Sequence, residues 1–114
     1  MDESILVEIK KMLGLDADYT AFDTDILVAI NGAFLGLMQC GLVVNPSFSV
    51  TGIDDKWSDF LPNDNAYFAV KNYIYLSTKI LFDPPSSSFV LEAYNKQLEE
   101  LRWRIGIQAD PLYF

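Results

Sequence analysis

The sequence predicts an all-α fold, a compact bundle of about four helices around a long central loop with room for a short β-ribbon. Three observations carry this. Apolar residues recur at helical spacing in four segments, the prolines fall between those segments, and one stretch of roughly twenty residues, 42–61, has no helical period. With 114 residues, 51% of them apolar and 14% aromatic, there is material for one core, so residues 1–114 are read as a single domain.

The first helix starts near Asp2. Ile5, Leu6, Ile9, Met12 and Leu13 share one face, Glu3, Glu8, Lys10 and Lys11 fall largely elsewhere, and Gly14 is a natural C-terminal stop. In DADYTAFDTDI, Thr20 stands where a capping residue belongs, and Asp23 follows three positions on, as in a capping box. Asp23 and Asp25 then suit the positive end of the second helix dipole. Ile26, Leu27, Ile30, Phe34, Leu37 and Met38 carry that helix toward Gly41. The uncharged run ILVAINGAFLGLMQCGLVV is nearly long enough to cross a bilayer. Asn31, Gln39 and three glycines interrupt it, however, and no Lys or Arg lies between Lys11 and Lys56 to anchor its ends. It reads instead as a buried helix followed by an extended piece.

From Leu42 the period fails. Asn45-Pro46 and Thr51-Gly52 mark turns, Phe48 and Val50 alternate with Ser49 and Thr51 as in a short strand, and Trp57 and Phe60 pin the far end in a helical turn. A loop of this length is expected to be the most mobile internal segment and to carry contacts, with Phe48 and Val50 as candidate interface residues. Asn63 or Asn65 can cap the next helix, in which Val70, Tyr73, Ile74 and Leu81 are joined by Phe68, Leu76 and Ile80 nearly all round the axis. That pattern predicts the central, most buried helix. Pro84 and Pro85 force it to end within about a turn of Phe82, and the serines after them offer hydroxyl caps to a following helix. Asp83, Pro84, Pro85, Ser86 and Ser88 are therefore assigned to a structural corner. The last helix shows a stripe of Val90, Tyr94, Leu98, Leu101 and Ile105 and is expected to stop at Gly106. Beyond it, Pro111, Leu112, Tyr113 and Phe114 put apolar bulk at a terminus that is ordinarily polar, which makes them further interface candidates. The alternative for these four is that the tail folds back on its own helices.

The composition excludes much chemistry. A formal net charge of −8 argues against neutralising nucleic-acid phosphates or anionic membranes. There is no histidine, and Cys40 is the only cysteine, so histidine bases, zinc fingers and internal disulfides are out, and a reducing compartment is the simpler setting. The opening MDES is acidic where a secretory signal would be basic. Asp16, Asp18, Asp23 and Asp25 lack the glycine and the final glutamate of a calcium loop, and the three serines after Pro85 have no glycine elbow. No catalytic, cofactor-binding or metal residue is assigned, no cofactor is expected, and the chain is not read as an enzyme.

Three stretches carry a family likeness: AFDTDILVAIN (residues 21–31), FSVTGIDDKWSDFL (48–61) and VKNYIYLSTKILFDPPSSSFVLEA (70–93). In this order, over nearly the whole chain, they resemble the small head-tail connector, or adaptor, proteins of tailed bacteriophages. The resemblance implies a compact helical subunit, made in the host cytoplasm, that forms a ring below the portal at the head-tail junction of the virion and extends the DNA exit channel. Its implied partners are copies of itself, the portal protein and head-completion or tail proteins, with DNA passing through without sequence-specific binding and no membrane involved. No catalytic residues come with it. A ring needs one patch of each subunit to meet a different patch on its neighbour, and the loop and the tail are the candidates. The competing reading is a small acidic inhibitor, or DNA mimic, that occupies a basic groove on a nucleic-acid enzyme. It calls for acids gathered on one face, whereas here they are spread over helix starts, loops and both sides of the last helix.

Overall fold

Five helices, α1 (Ile5–Met12), α2 (Asp23–Met38), α3 (Trp57–Phe60), α4 (Tyr67–Phe82) and α5 (Ser88–Ala109), make up the computed structural model, which describes residues 3–39, 48–61 and 67–109. The protein is all-α. No strand occurs among the described residues, and the expected β-ribbon is reduced to one antiparallel bridge between Ser4 and Lys56, where the Ile5 N–H donates to the Asp55 carbonyl at 2.9 Å.

The three long helices form an antiparallel layer with α4 in the middle, packed against α2 on one side and α5 on the other. Their register is set by side chains. Phe22 at the start of α2 meets Phe82 at the end of α4 (ring centroids 5.3 Å), and Arg102 of α5 donates to the Tyr73 hydroxyl of α4 at 2.9 Å. The short α1 and α3 complete the core beside this layer, and the molecule measures 43 × 36 × 19 Å. Its thinnest dimension is about two helix diameters.

Ser4 caps α1 by accepting from the Val7 N–H, and Gly14 takes the left-handed conformation (φ 85°) that stops the chain from continuing as helix. Lys10 departs from the expected polar face. It is 1% exposed, with its Nζ 2.8 Å from Asp23 Oδ1 and donating to the Ala17 carbonyl at 3.0 Å. A buried ammonium is tolerable only when paired and hydrogen-bonded, and here the pairing fastens the 13–22 connection under α1. Asp23 is thereby drawn away from the capping box expected with Thr20. The residue at the N-cap is Phe22, which makes no side-chain cap bond.

In α3, the Asp59 carboxylate accepts from the Lys56 N–H (2.9 Å), and Trp57 and Phe60 are buried against Phe34, as expected of a pinning turn. The helix predicted as the third is α4. It is central, but it is not the most buried: α2 contributes Ile26, Ala29, Ile30, Ala33, Phe34 and Leu37 to the core, while α4 leaves Phe68 and Leu81 in solvent. Its neighbours α2, α5 and α1 leave part of its circumference uncovered. It does end at Phe82, as the prolines require, and Ser87, whose carbonyl accepts from the Leu91 N–H, opens α5. The last helix runs past Gly106 to Ala109, so that glycine is not its stop. Its stripe is only partly covered. Ile105 is buried, Tyr94, Leu98 and Leu101 are half-buried, and Val90 is exposed, because α4 is the one long helix beside it.

Candidate assembly surface

The loop comes first, because two candidate contact residues sit on it. Asn31 projects from α2 and grips the backbone of Val50 from both sides, its Nδ2 donating to the Val50 carbonyl (3.0 Å) and its Oδ1 accepting from the Val50 N–H (2.8 Å). The amide thus replaces a neighbouring strand, which explains why the alternating Phe48 and Val50 pattern produces no sheet. Asp55 closes the next turn by accepting from the N–H groups of Thr51 (2.7 Å) and Gly52 (3.3 Å) and from the Thr51 hydroxyl (3.1 Å). Val50 is 2% exposed and belongs to the subunit's own core, and Phe48 is half-buried on Phe34 and Phe60. The described part of the loop, 48–55, is therefore tied to α2 rather than loose. Its other part, with Cys40, lies outside the described residues, as do the tail candidates Pro111, Leu112, Tyr113 and Phe114.

A second polar cluster holds α1, α3 and α4 together. Glu8 accepts from the Trp57 indole N–H at 2.9 Å and from Lys71, whose ammonium also lies over the Tyr67 ring at 5.5 Å. Burial works against the charge on Lys71, but the hydrogen bond and the charge of Glu8 outweigh it and raise its pKa. Burial, then the negative charge of Glu8, raises that of Tyr67. These groups tie the three helices into one fold. Among the described residues, no three His, Cys, Asp or Glu side chains gather as metal ligands, and no helix is long and apolar enough to cross a membrane.

Exposed apolar side chains lie elsewhere as well, among them Val28 on α2, Ile53 in the loop, and residues toward the two ends of the helical layer. At the end where α2 begins and α4 finishes, Phe22 and Leu81 are exposed, and Phe89 on the first turn of α5 is 83% exposed. The corner that joins α4 to α5 closes this end, with Asp83, Pro84, Ser86 and Ser88 in solvent and Pro85 half-buried. Toward the other end stand Leu35 on α2, Phe68 on the first turn of α4 and Trp103 on α5, each more than half exposed. From Phe68 to Leu81 along α4 is about 20 Å at the helical rise. Of these, Phe68 and Leu81 are expected from the sequence to be covered on the central helix, while Phe22, Leu35, Phe89 and Trp103 are not singled out by it. Which ones stay bare depends on how many neighbours a helix has, and periodicity does not report that.

A family model described as phage connector protein matches residues 5–111. The chain belongs to that family. The connector is thus a structural component of a bacteriophage virion. No curated protein and no solved structure matches it.

Proposed function

We propose that this connector assembles head-to-tail into a ring below the portal and extends the channel through which DNA leaves the head. The carrying observation is that exposed apolar side chains stand at more than one place on the subunit, Phe22, Leu81 and Phe89 at one end of the α2–α4–α5 layer and Leu35, Phe68 and Trp103 toward the other, with Val28 and Ile53 exposed as well. A two-fold dimer needs one self-complementary patch, whereas a closed ring of more than two subunits needs two different patches that meet. The net charge of −8 suits a wall past which DNA must slide without sticking.

The test uses one charged substitution at each end, Leu81→Glu and Trp103→Glu, followed by native mass spectrometry with the cognate portal. Both side chains are largely in solvent, so each variant should melt like the parent. Each alone should fail to form rings, and an equimolar mixture should give dimers that grow no further, since only one competent interface remains. Full rings from either variant, or from the mixture, would refute the head-to-tail arrangement.

A further inference from the structure

Between the start of α2 and the end of α4 lies an open cleft of about 370 Å³ lined by Phe22, Asp25, Ala29, Leu81 and Phe82. Its walls are aromatic and aliphatic, with the Asp25 carboxylate as the one charged group, and its size falls within the range of roughly 300 to 1,000 Å³ typical of ligand pockets. Nothing in the rest of the described chain fills it. The chain does carry a segment of matching chemistry, the sequence Leu112-Tyr113-Phe114, with two apolar side chains flanking a phenol that can donate to a carboxylate.

Geometry decides which copy of that segment can reach the cleft. Tyr73 and Arg102 are bonded to one another and so mark one level of the antiparallel α4 and α5. From that level α4 continues to Leu81 in one direction and α5 to Ala109 in the other, an axial separation of about 22 Å. The cleft also lies on the α2 side of α4, away from α5, and interaxial spacing of 8–10 Å lengthens the path to about 25 Å. Five residues after Ala109, fully extended, span about 17 Å. The subunit's own tail falls short of its own cleft.

We infer that the cleft between Phe22 and Leu81 receives residues 112–114 of a second copy of the chain, with the Tyr113 hydroxyl donating to Asp25. This rests on the ring reading and deepens it, since it names one of the two meeting surfaces: the tail leaves α5 near the end that bears Trp103, and the cleft sits at the opposite end.

The test uses full-length chains in a Cys40→Ser background, one carrying Leu81→Cys and the other Tyr113→Cys, mixed under mild oxidation with the portal present, while native mass spectrometry follows ring formation by the unmodified chain. The expected product is a disulfide-linked dimer containing one chain of each kind, at least ten-fold above the yield from mixing Tyr113→Cys with Phe68→Cys at the far end of α4. Rings from the unmodified chain without that dimer would overturn the tail assignment and leave the ring reading standing. No oligomer of any kind would remove both. A monomeric intrachain disulfide as the main product of the double variant Leu81→Cys/Tyr113→Cys would also overturn the assignment, since it would show the tail reaching its own cleft.

Discussion

Replacing Asn31 by alanine should cost the connector about 2–4 kcal/mol of stability, more than its two hydrogen bonds would suggest. Net, each such bond contributes about 0.5–1.5 kcal/mol, but the substitution also strands the N–H and the carbonyl of Val50, and an unsatisfied buried polar group costs about 1–3 kcal/mol. Val50 is 2% exposed, and both bonds are partly buried, so water reaches these groups poorly. Alanine's better helix propensity returns at most about 0.7 kcal/mol. For a chain of this length a loss of 3 kcal/mol lowers the melting temperature by about 12 °C. Urea titration followed by tryptophan fluorescence gives the free energy directly, with Trp57 reporting from the core. Asn31→Asp separates the two bonds, because it keeps the acceptor for the Val50 N–H while setting a carboxylate against the Val50 carbonyl, and it should be at least as damaging as alanine. A loss under 0.5 kcal/mol for Asn31→Ala, with an unchanged urea slope, would refute the clamp and return the 48–55 segment to a loose loop.

Two glycines on α2 make opposite predictions. A methyl group on Gly32 would meet nothing within 4 Å, so Gly32→Ala should stabilise by about 1 kcal/mol, whereas one on Gly36 would sit 3.1 Å from the Tyr73 hydroxyl, so Gly36→Leu should lose about 1–3 kcal/mol by overpacking. Thermal melts that rank the pair the other way would show that α2 and α4 do not approach at Gly36. Alkaline pH should also weaken the fold. The pKa values of Lys71 and Tyr67 are raised, so their contribution is fully present below the unfolded values near 10 and is lost as pH rises through the folded ones. Chemical denaturation at pH 9 and pH 11 should show a drop that Glu8→Gln makes smaller, and an identical drop in that variant would remove Glu8 as the cause for Lys71.

What the sequence made legible were features enforced within a turn or two of the chain: the stop at Gly14, the end of α4 before Pro84, the turn that buries Trp57 and Phe60, and the central place of α4. What it hid depends on partners distant in sequence. Lys10 looks like a surface lysine until the 13–22 connection brings Ala17 and Asp23 over it. Thr20 and Asp23 look like a capping box until Lys10 takes the carboxylate. Asn31 was the one available clue to the loop clamp, since an amide inside an otherwise apolar helix must find partners. Leu81 and Val90 satisfied the helical period and are nevertheless exposed, because the period says where an apolar face points and not whether another helix lies there. Apolar residues beyond those the core takes up therefore stand on the surface, at positions that periodicity alone does not identify.

That excess also bears on how a ring of this kind would assemble. Fully burying a Phe or Leu side chain gains about 1.5–3 kcal/mol, so the three or four large apolar residues at each end offer roughly 5–12 kcal/mol per contact before any cost. Fixing one subunit against another costs about 4–15 kcal/mol in lost translation and rotation, and ordering side chains adds to it. The two ranges overlap, so a single contact between two free subunits is weak, and a net charge of −8 on each adds repulsion between them. The balance changes when a portal holds the first subunits at the right spacing. Later ones then join at high effective concentration, and the last one gains two contacts for one loss of freedom. On the proposed ring reading, a subunit with a self-sufficient core of Phe34, Trp57, Ile74 and their neighbours would therefore stay single until a portal nucleates the ring.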